Sequence, residues 1–476
     1  APLAVSILLS AGCVNYAGIN HQGKLLSLGE APSDSLKDQL PPAEWPRSDW
    51  WTSLGDPRLG ALIEEAYASN PDLQEVTARV AKANAFLDLR DAERFPEMDA
   101  AAGVTRGRLS KFEDYSGEGH KYFTARNLAV NFNYTFDLWG GQRAAWEAAL
   151  GQARAAEVDQ QAARLTLAAD VAKAYSDLGQ AHIVRDLAND DLKRTRQMLD
   201  LGKRRLNSGI DSQYQYQQTE SLEASSQSQL IDADKQLQSA KIALAVLLGK
   251  GPDRGNELAR PNVLKPAAVA VPSVLPAELL GRRPDLIAAR WRVEAASKDI
   301  AASKTRFYPN LNLSASAGAE SLLGDAMFGS ASRFFNIAPT ISLPIFDGGR
   351  LRADLDARDA DYDLAVAQYN KTLVQALGDI GNTLSQLRET GRQIQAQQHA
   401  TDIAQQSYDT VVQRYGSGVG NYLDVLSIEQ QLLQAQRQLA TLNAGQIDLS
   451  IQLMQALGGG YNADNVASTT PATRTE

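Results

Sequence analysis

The stretch NFNYTFDLWGGQR, residues 131–143, decides how this chain is read. Around it the sequence alternates with a period of two. Leu128, Val130, Phe132, Tyr134, Phe136 and Leu138 fall on one side, and Asn127, Ala129, Asn131, Asn133, Thr135 and Asp137 on the other. Such a run is a strand whose two faces meet different surroundings. It stops at Gly140-Gly141 and opens a stretch without proline as far as Pro252. NIAPTISLPIFDGGR, residues 336–350, repeats the pattern, with Gly348-Gly349 as the stop and no further proline until Pro471. Glycine turns the backbone without a Cβ penalty, so Gly140, Gly141, Gly348 and Gly349 are assigned as hinges where strand converts to helix.

Two more strands follow the same rule. Residues 311–319 set Leu311, Leu313, Ala315, Ala317 and Ala319 against Asn312, Ser314, Ser316 and Gly318, and residues 335–345 set Phe335, Ile337, Ile341, Leu343 and Ile345 against Asn336, Thr340 and Ser342. A weaker strand covers 98–106, and Phe95, Tyr122, Phe123, Phe307, Tyr308 and Phe334 gather at strand entrances. Strands of about 9–11 residues, apolar outside and polar inside, are the signature of a transmembrane barrel, and aromatic residues mark its interfaces. A soluble sandwich with one wet face gives the same alternation. Four strands, however, neither enclose a core alone nor close a barrel. In lipid each unsatisfied backbone group at an open edge costs several kcal/mol, and barrels have about eight strands or more. The wall must then be shared: two copies supply eight strands, three supply twelve. No apolar run reaches the roughly 18–20 residues of a membrane helix.

Proline sorts the rest. The block 142–203 is proline-free and rich in Ala, Gln, Leu, Glu and Arg, all good helix formers; it would span about 93 Å at 1.5 Å per residue, with Gly151 and Gly179 as places to bend or interrupt it. In 422–457, Leu426, Leu433, Ala440, Ile447 and Met454 recur every seventh residue, with Gln430, Arg437, Ala444 and Ile451 at the other seam position. That is the repeat of helices packed nearly in parallel, and the polar seam residues fit a wide, partly wet assembly.

Landmarks recur in order. Asn70-Pro-Asp-Leu and Arg283-Pro-Asp-Leu lie 213 apart, as do Phe95-Pro and Tyr308-Pro; the two Gly-Gly steps come next; RLNSG at 205–209 and RYGSG at 414–418, and Leu248-Gly249 and Leu457-Gly458, lie 209 apart. This is a tandem repeat of about 210 residues, each unit a helix (56–90; 276–305), a strand pair, a long helix, a glycine turn and a return helix. The chain divides into 1–13, a leader remnant; 14–55, an extended segment; 56–249, the first repeat, with strands at 98–108 and 122–138 and a hairpin turning near Gly209; 250–277, a proline-rich linker; 278–458, the second repeat, with strands at 311–320 and 335–346 and a turn near Gly418; and 459–476, a tail. The polar end of that tail, 462–476, has the composition of a disordered segment.

Composition narrows the classes. With 22% charged and 44% hydrophobic residues this is not a disordered chain, and a net charge of −9 argues against a nucleic-acid binder. The four histidines, at 21, 120, 182 and 399, show no metal-ligand spacing, and the single cysteine, Cys13, allows neither an intrachain disulfide nor a CxxC motif. No nucleophile elbow or P-loop is present, and Gly416-Ser-Gly-Val-Gly420 follows a helix, so it is no dinucleotide loop. The reading is a protein without cofactor or metal that is not an enzyme. The opening APLAVSILLSAGC is an apolar run with small residues before Cys13, like a secretory leader clipped of its charged start. LSAGC is similar to a lipobox, with Ser10 where Leu or Val is usual. Cys13 is therefore the expected lipidation site, and several acyl chains, at about 0.8 kcal/mol per buried CH₂, anchor firmly.

Trp50-Trp51, Asp56-Pro57-Arg-Leu59, Leu62-Ile63, Asn70-Pro-Asp-Leu73, Arg283-Pro-Asp-Leu286, Phe307-Tyr-Pro309, Pro344-Ile-Phe-Asp-Gly-Gly-Arg350 and Ala456-Leu-Gly-Gly-Gly-Tyr461 cover nearly the whole chain in order. On these residues the chain resembles the TolC-like outer membrane factors, in the OprM- and VceC-like lipoprotein branch. The resemblance implies an α+β membrane protein: a homotrimer with a twelve-stranded transmembrane β-barrel, four strands per chain, continuous with a long periplasmic α-helical barrel and girdled by an equatorial region, here 20–55, 249–277 and the segment after Gly458. It implies a passive duct in the outer membrane of a Gram-negative bacterium, exporting drugs, dyes, detergents or bile salts with a periplasmic adaptor and an inner-membrane pump of major-facilitator or RND type. A type I protein-secretion duct is an alternative, and so is a non-conducting coiled-coil tether, which would leave the strands unexplained. The family closes at its periplasmic helix tips, here 205–216 and 414–427. Related tips carry an acid where this chain has Ser427, and Asp424 lies one helical turn earlier. The expected gate is therefore Leu423 as an apolar constriction and Asp424 as a charged ring, with Tyr422 and Ser427 beside them. Arg205, Gly209, Arg414 and Gly418 are candidate adaptor contacts or latch partners, although glycines also end helices and arginines favour helix C-termini.

Overall fold

The computed structural model describes residues 15–26, 45–108, 110, 112, 122–262, 264–266, 281–321 and 327–461. Cys13, the polar tail 462–476 and residues 276–280 of the helix expected to start at 276 lie outside them. The helices are α1 (Pro57–Ser69), α2 (Pro71–Ala92), α3 (Gly141–Asn207), α4 (Gln213–Leu247), α5 (Pro284–Thr305), α6 (Arg350–Gly416) and α7 (Tyr422–Ala456). The strands are β1 (Glu97–Arg108), β2 (Tyr122–Phe136), β3 (Asn310–Ser321) and β4 (Arg333–Ser342). One order occurs twice: helix, two strands, a helix of 67 residues and a helix of 35. None of the described helices is long and apolar enough to cross a membrane. Gly151 and Gly179 do not interrupt α3; a Cβ on Gly151 would stand 2.9 Å from the Ala295 side chain, so that glycine admits close approach of α5. The single helix expected over 56–90 is two, because Asn70 before Pro71 takes an extended conformation, φ −67° and ψ 125°.

The chain divides into two compact units. The first comprises Ala1–Leu25, Arg79–Glu157 and Ala288–Asn370. Its sheet is antiparallel in the order β1-β2-β3-β4. The register sorts the side chains by row. Met98, Phe132, Ala315 and Ile337 pair across all four strands, as do Ala100, Val130, Ala317 and Phe335. The intervening row is Asp99, Asn131, Ser316 and Asn336. One face is thus apolar and the other polar, and the polar face is tied by cross-strand bonds from Asn131 to Asp99 (2.8 Å) and from Thr135 to Asn312 (2.7 Å). The apolar face is bare: Phe335 is 81% exposed and Ile341 73%. β1 and β4 each pair on one side only among the described strands, leaving two edges of open backbone groups.

Both strand-to-helix passages use the same device. β2 stops at Phe136 and β4 at Ser342, short of the 138 and 346 expected. Asp137, read above as a strand residue, leaves the sheet and accepts from the N–H groups of Gln142 (3.1 Å) and Arg143 (2.9 Å), and Asp347 accepts from those of Gly349 (3.0 Å) and Leu351 (2.9 Å). A carboxylate suits the free N–H groups of a helix start. The turns between need positive φ, which Gly140 (73°), Gly348 (68°) and Gly349 (89°) supply, while Gly141 is already the first residue of α3. Among the strand-entrance aromatics, Phe307 is not an interfacial residue: it is buried with Ile19, Ile300, Leu351 and Leu355, under the ring of Tyr16. Phe95 and Tyr122 are exposed.

The second unit comprises Leu26–Ala78, Val158–Ile287 and Lys371–Glu476. Its main core gathers Trp50, Leu54, Leu59, Ile63, Val171, Tyr175, Leu178, Leu244 and Leu248. Each return helix ends against the start of its own repeat. The Asn70 amide donates to the Leu247 carbonyl at 2.9 Å, and Arg283 to the Ala456 carbonyl at 3.1 Å. A Cβ on Gly249 or Gly458 would run into the carbonyl oxygens of Ser69 and Arg282, at 2.3 and 2.0 Å. The Leu-Gly and x-Pro-Asp-Leu landmarks are therefore two halves of one contact.

Candidate helix-tip site

The two long hairpins of the second unit turn at Gly209 and Gly418, with φ of 71° and 81°. In each, the residue after the glycine donates back to an arginine carbonyl five residues earlier: Ile210 to Arg205 at 2.9 Å, Val419 to Arg414 at 3.1 Å. This is the glycine-ended Schellman arrangement, which satisfies helix-end carbonyls. The next helices are capped at once. Ser212 and Gln215 form a reciprocal capping box on α4, and Asn421 accepts from the Leu423 N–H on α7.

Asp211 joins the hairpins. Its carboxylate receives Arg205 Nε at 2.9 Å and Nη2 at 3.1 Å, and the Tyr415 hydroxyl at 2.8 Å. The Arg205 guanidinium also lies 4.4 Å from the centre of the Tyr415 ring. Burial by itself raises the Asp211 carboxyl, but the bonds from Arg205 and Tyr415 outweigh it and hold it below the ordinary carboxylate value. Burial, then the bond to Asp211, pushes the Tyr415 phenol up, so it stays a donor. Beneath this bridge Met198, Tyr415, Tyr422 and Val425 form a buried cluster, and the Tyr422 hydroxyl is bonded to Thr219 of α4. Deeper along the bundle, Asp191 and Glu429 are buried with Arg194 Nε 3.6 Å from Glu429.

The expected site residues fall into two groups. Tyr422 is 3% exposed and faces the cluster, whereas Leu423 is 56% exposed, and Asp424 and Ser427 are exposed on the first turns of α7. Arg205 is engaged with Asp211, while Arg414 is exposed. The heptad expected along α7 holds in part: Ala440 and Ile451 are buried, and Ile447 and Met454 pack half-buried against the core. Val425, Glu429 and Leu432 are buried, Leu426 and Leu433 only partly, and Gln430 is exposed. Apolar residues fill two adjacent stripes, Val425 beside Leu426 and Leu432 beside Leu433, so the period alone does not select between them. Asp211, Asp191 and Glu429 went unread in the sequence. For Glu429 the available signal was an acid set among Tyr422, Val425 and Leu432 at helical spacing.

The described model of outer membrane efflux proteins matches residues 62–250 and 275–459, one match in each half of the chain. The chain belongs to the outer membrane efflux protein family. Among relatives of this efflux protein, the multidrug resistance outer membrane protein MdtP of Escherichia coli K12 is 30% identical over 464 residues, covering 93% of this chain and 94% of its own length. Fusaric acid resistance protein FusA of Burkholderia cepacia is 34% identical over 380 residues, covering 76% and 69%. The crystal structure of VceC from Vibrio cholerae superimposes with a TM-score of 0.81 at 34% identity, over 88% of this chain and all of that one. The protein is thus a channel-type efflux protein of the Gram-negative outer membrane that extends into the periplasm.

Proposed function

We propose that this efflux protein is the passive outer-membrane duct of a tripartite multidrug efflux system. Three copies pair β1 of one with β4 of the next and close a twelve-stranded barrel. The helices, arranged as a tandem repeat, continue it as a periplasmic α-barrel, and lipid on Cys13 anchors the chain to the membrane. A periplasmic adaptor joins the duct to an inner-membrane pump of major-facilitator or RND type, and drugs, detergents or bile salts pass outward. The observation that carries this reading is the sheet: among the described residues, an uncovered apolar face, a polar opposite face and two unpaired edges. That combination is unstable alone in lipid and is satisfied by closure with copies of itself. At the tips, Asp211 fastens the two hairpins at rest, while Leu423 and Asp424 face the narrowed bore. Three carboxylates around one axis repel and favour opening once the bridge is released.

The test is the mass of the detergent-solubilised protein together with its conductance in planar bilayers. A trimer that conducts is expected; a monomer, or a trimer that never conducts, overturns the reading. Drug sensitivity of a deletion strain compared with its secreted proteins separates drug efflux from protein secretion.

A further inference from the structure

The tip bundle holds a group that the bridge does not use. Glu429 of α7 is 2% exposed, and among the described residues neither of its carboxyl oxygens has a hydrogen-bond partner. From α3 come Asp191, 3% exposed, and Arg194, whose Nε stands 3.6 Å from Glu429 and whose Nε and Nη2 are buried without hydrogen bonds. From α6 comes Tyr408, its ring 5.8 Å from the Arg194 guanidinium. From α4 comes Ser226, whose hydroxyl donates to Asp191 at 2.7 Å, while Glu223 of that helix is held by Arg196 at 2.9 Å. Tyr422, on α7 itself, is bonded to Thr219. Two buried carboxyls and one guanidinium thus share this part of the bundle. Fully ionised, the trio carries one net negative charge; a single proton makes it neutral. A buried uncompensated charge is costly enough that the group either binds a proton or reaches water.

We propose that Glu429 is a proton-operated catch on the helix tips. Protonated, it stays between α7 and α3 and keeps the bundle packed; ionised, it favours a state in which α7 has moved off α3 and the carboxylate is hydrated. This rests on the tips being the moving end of the duct. Burial first, and the Asp191 carboxylate second, push Glu429 from 4.5 up to about 7, with Arg194 pulling the other way. The closed bundle then binds the proton more tightly than an opened one. Opening becomes easier as the pH rises from 4.5 to about 7 and levels off above. With those two values the opening constant rises by up to about 30-fold between pH 5.5 and pH 8.

The experiment is hydrogen exchange of the full-length protein in detergent, following residues 205–216 and 414–427 at pH 5.5 and 8 after correction for intrinsic rates. Tip protection is expected to fall toward pH 8 in the wild type and to be independent of pH in Glu429→Gln. Arg194→Gln should move the midpoint up and Asp191→Asn should move it down, opposite shifts that a merely structural role does not produce. A wild type without pH dependence, a dependence that survives in Glu429→Gln, or midpoints that fail to part in those directions overturns the catch. If Glu429→Gln does not fold, the two flanking variants decide. Exchange reports packing whether or not the protein conducts, so a failure of the duct reading shows up in conductance and leaves this result separate.

Discussion

Asp56 lies at the centre of the second unit's core, and its removal should be costly. Its side chain is fully buried. It accepts from the Arg58 N–H (3.1 Å), Arg58 Nε (3.1 Å) and Nη2 (2.9 Å), the Tyr175 hydroxyl (2.7 Å) and the Asn262 N–H (2.9 Å). One carboxylate thus caps α1, ties it to α3 and holds the chain at Asn262. Asp56→Ala leaves a phenol and an amide without acceptors. Removing one member of a buried pair costs about 3–5 kcal/mol; the Arg58 side chain is 41% exposed and rehydrates, which places this change near about 3 kcal/mol, or about 150-fold in a local opening constant. Asp56→Asn retains an acceptor oxygen and should cost about 1–2 kcal/mol. Hydrogen exchange across 56–66 and 170–178 at pH 7 reads both. Burial raises the Asp56 carboxyl, but Arg58, Asn262 and Tyr175 together hold it well below the ordinary range. A depressed carboxyl contributes stability that is present above its unfolded value of about 4 and is lost as the pH falls through the folded one. The gap between wild type and Asp56→Ala should therefore narrow below about pH 4. A gap under about threefold at pH 7, or one that stays constant into acid, refutes the reasoning.

Tyr415→Phe deletes only the hydroxyl that reaches Asp211 and should increase spontaneous channel openings and antibiotic uptake; wild-type values for both reject the bridge as a fastening. Asp424→Ala should raise single-channel conductance, and unchanged conductance removes Asp424 from the constriction. Arg283→Ala releases the Ala456 carbonyl and should cost about 1–2 kcal/mol, seen as faster exchange at 450–458 with little change at 244–249; equal effects at both ends would show that the closure is not local to its repeat. Cys13→Ser should abolish incorporation of labelled palmitate, and label that persists places the lipid elsewhere.

What could be read in the sequence was local. Period-two alternation from Leu128 to Phe136 is a property of neighbours, and so are the glycine steps and the four Leu-Gly and Ser-Gly turns. What escaped depended on partners far along the chain. Asp211 gives no sign of its role until Tyr415, 204 residues away, is beside it. Asp137 alternates correctly with the strand before it and becomes a helix cap only because the backbone turns at Gly140. Phe307 looks like its aromatic neighbour Tyr308, yet it is covered by Ile19 and Leu351, which no count of aromatics at strand ends foretells. Near the start of α7, Val425 and Leu432 are buried in place of the expected Leu426 and Leu433, because that helix is apolar on two adjoining faces.

The two hairpins meet at the tip as unequal partners, and the inequality explains how they hold. Stepping 209 residues carries Arg205 to Arg414, Leu206 to Tyr415, Asp211 to Gly420 and the cap Ser212 to the cap Asn421. The first hairpin has the acid and lacks the phenol; the second has the phenol and lacks the acid. The second cannot regain an acid at that place, because a Cβ on Gly420 would stand 2.7 Å from the Tyr415 backbone nitrogen and 3.0 Å from the Arg414 carbonyl carbon. Arg414 accordingly has no counterpart of Asp211 in its own turn and is exposed. If each turn carried both groups, each would satisfy itself and this bridge would not tie one hairpin to the other. Dividing the set between them makes the bridge obligatory: Asp211 is saturated only when Tyr415 is present, and parting the hairpins exposes a phenol, a carboxylate and the ring face under Arg205 together. The bridge thus adds to the Tyr422–Thr219 bond and the buried cluster beneath it, and its loss weakens the hold between the tips while leaving the Schellman turns and caps of each hairpin intact.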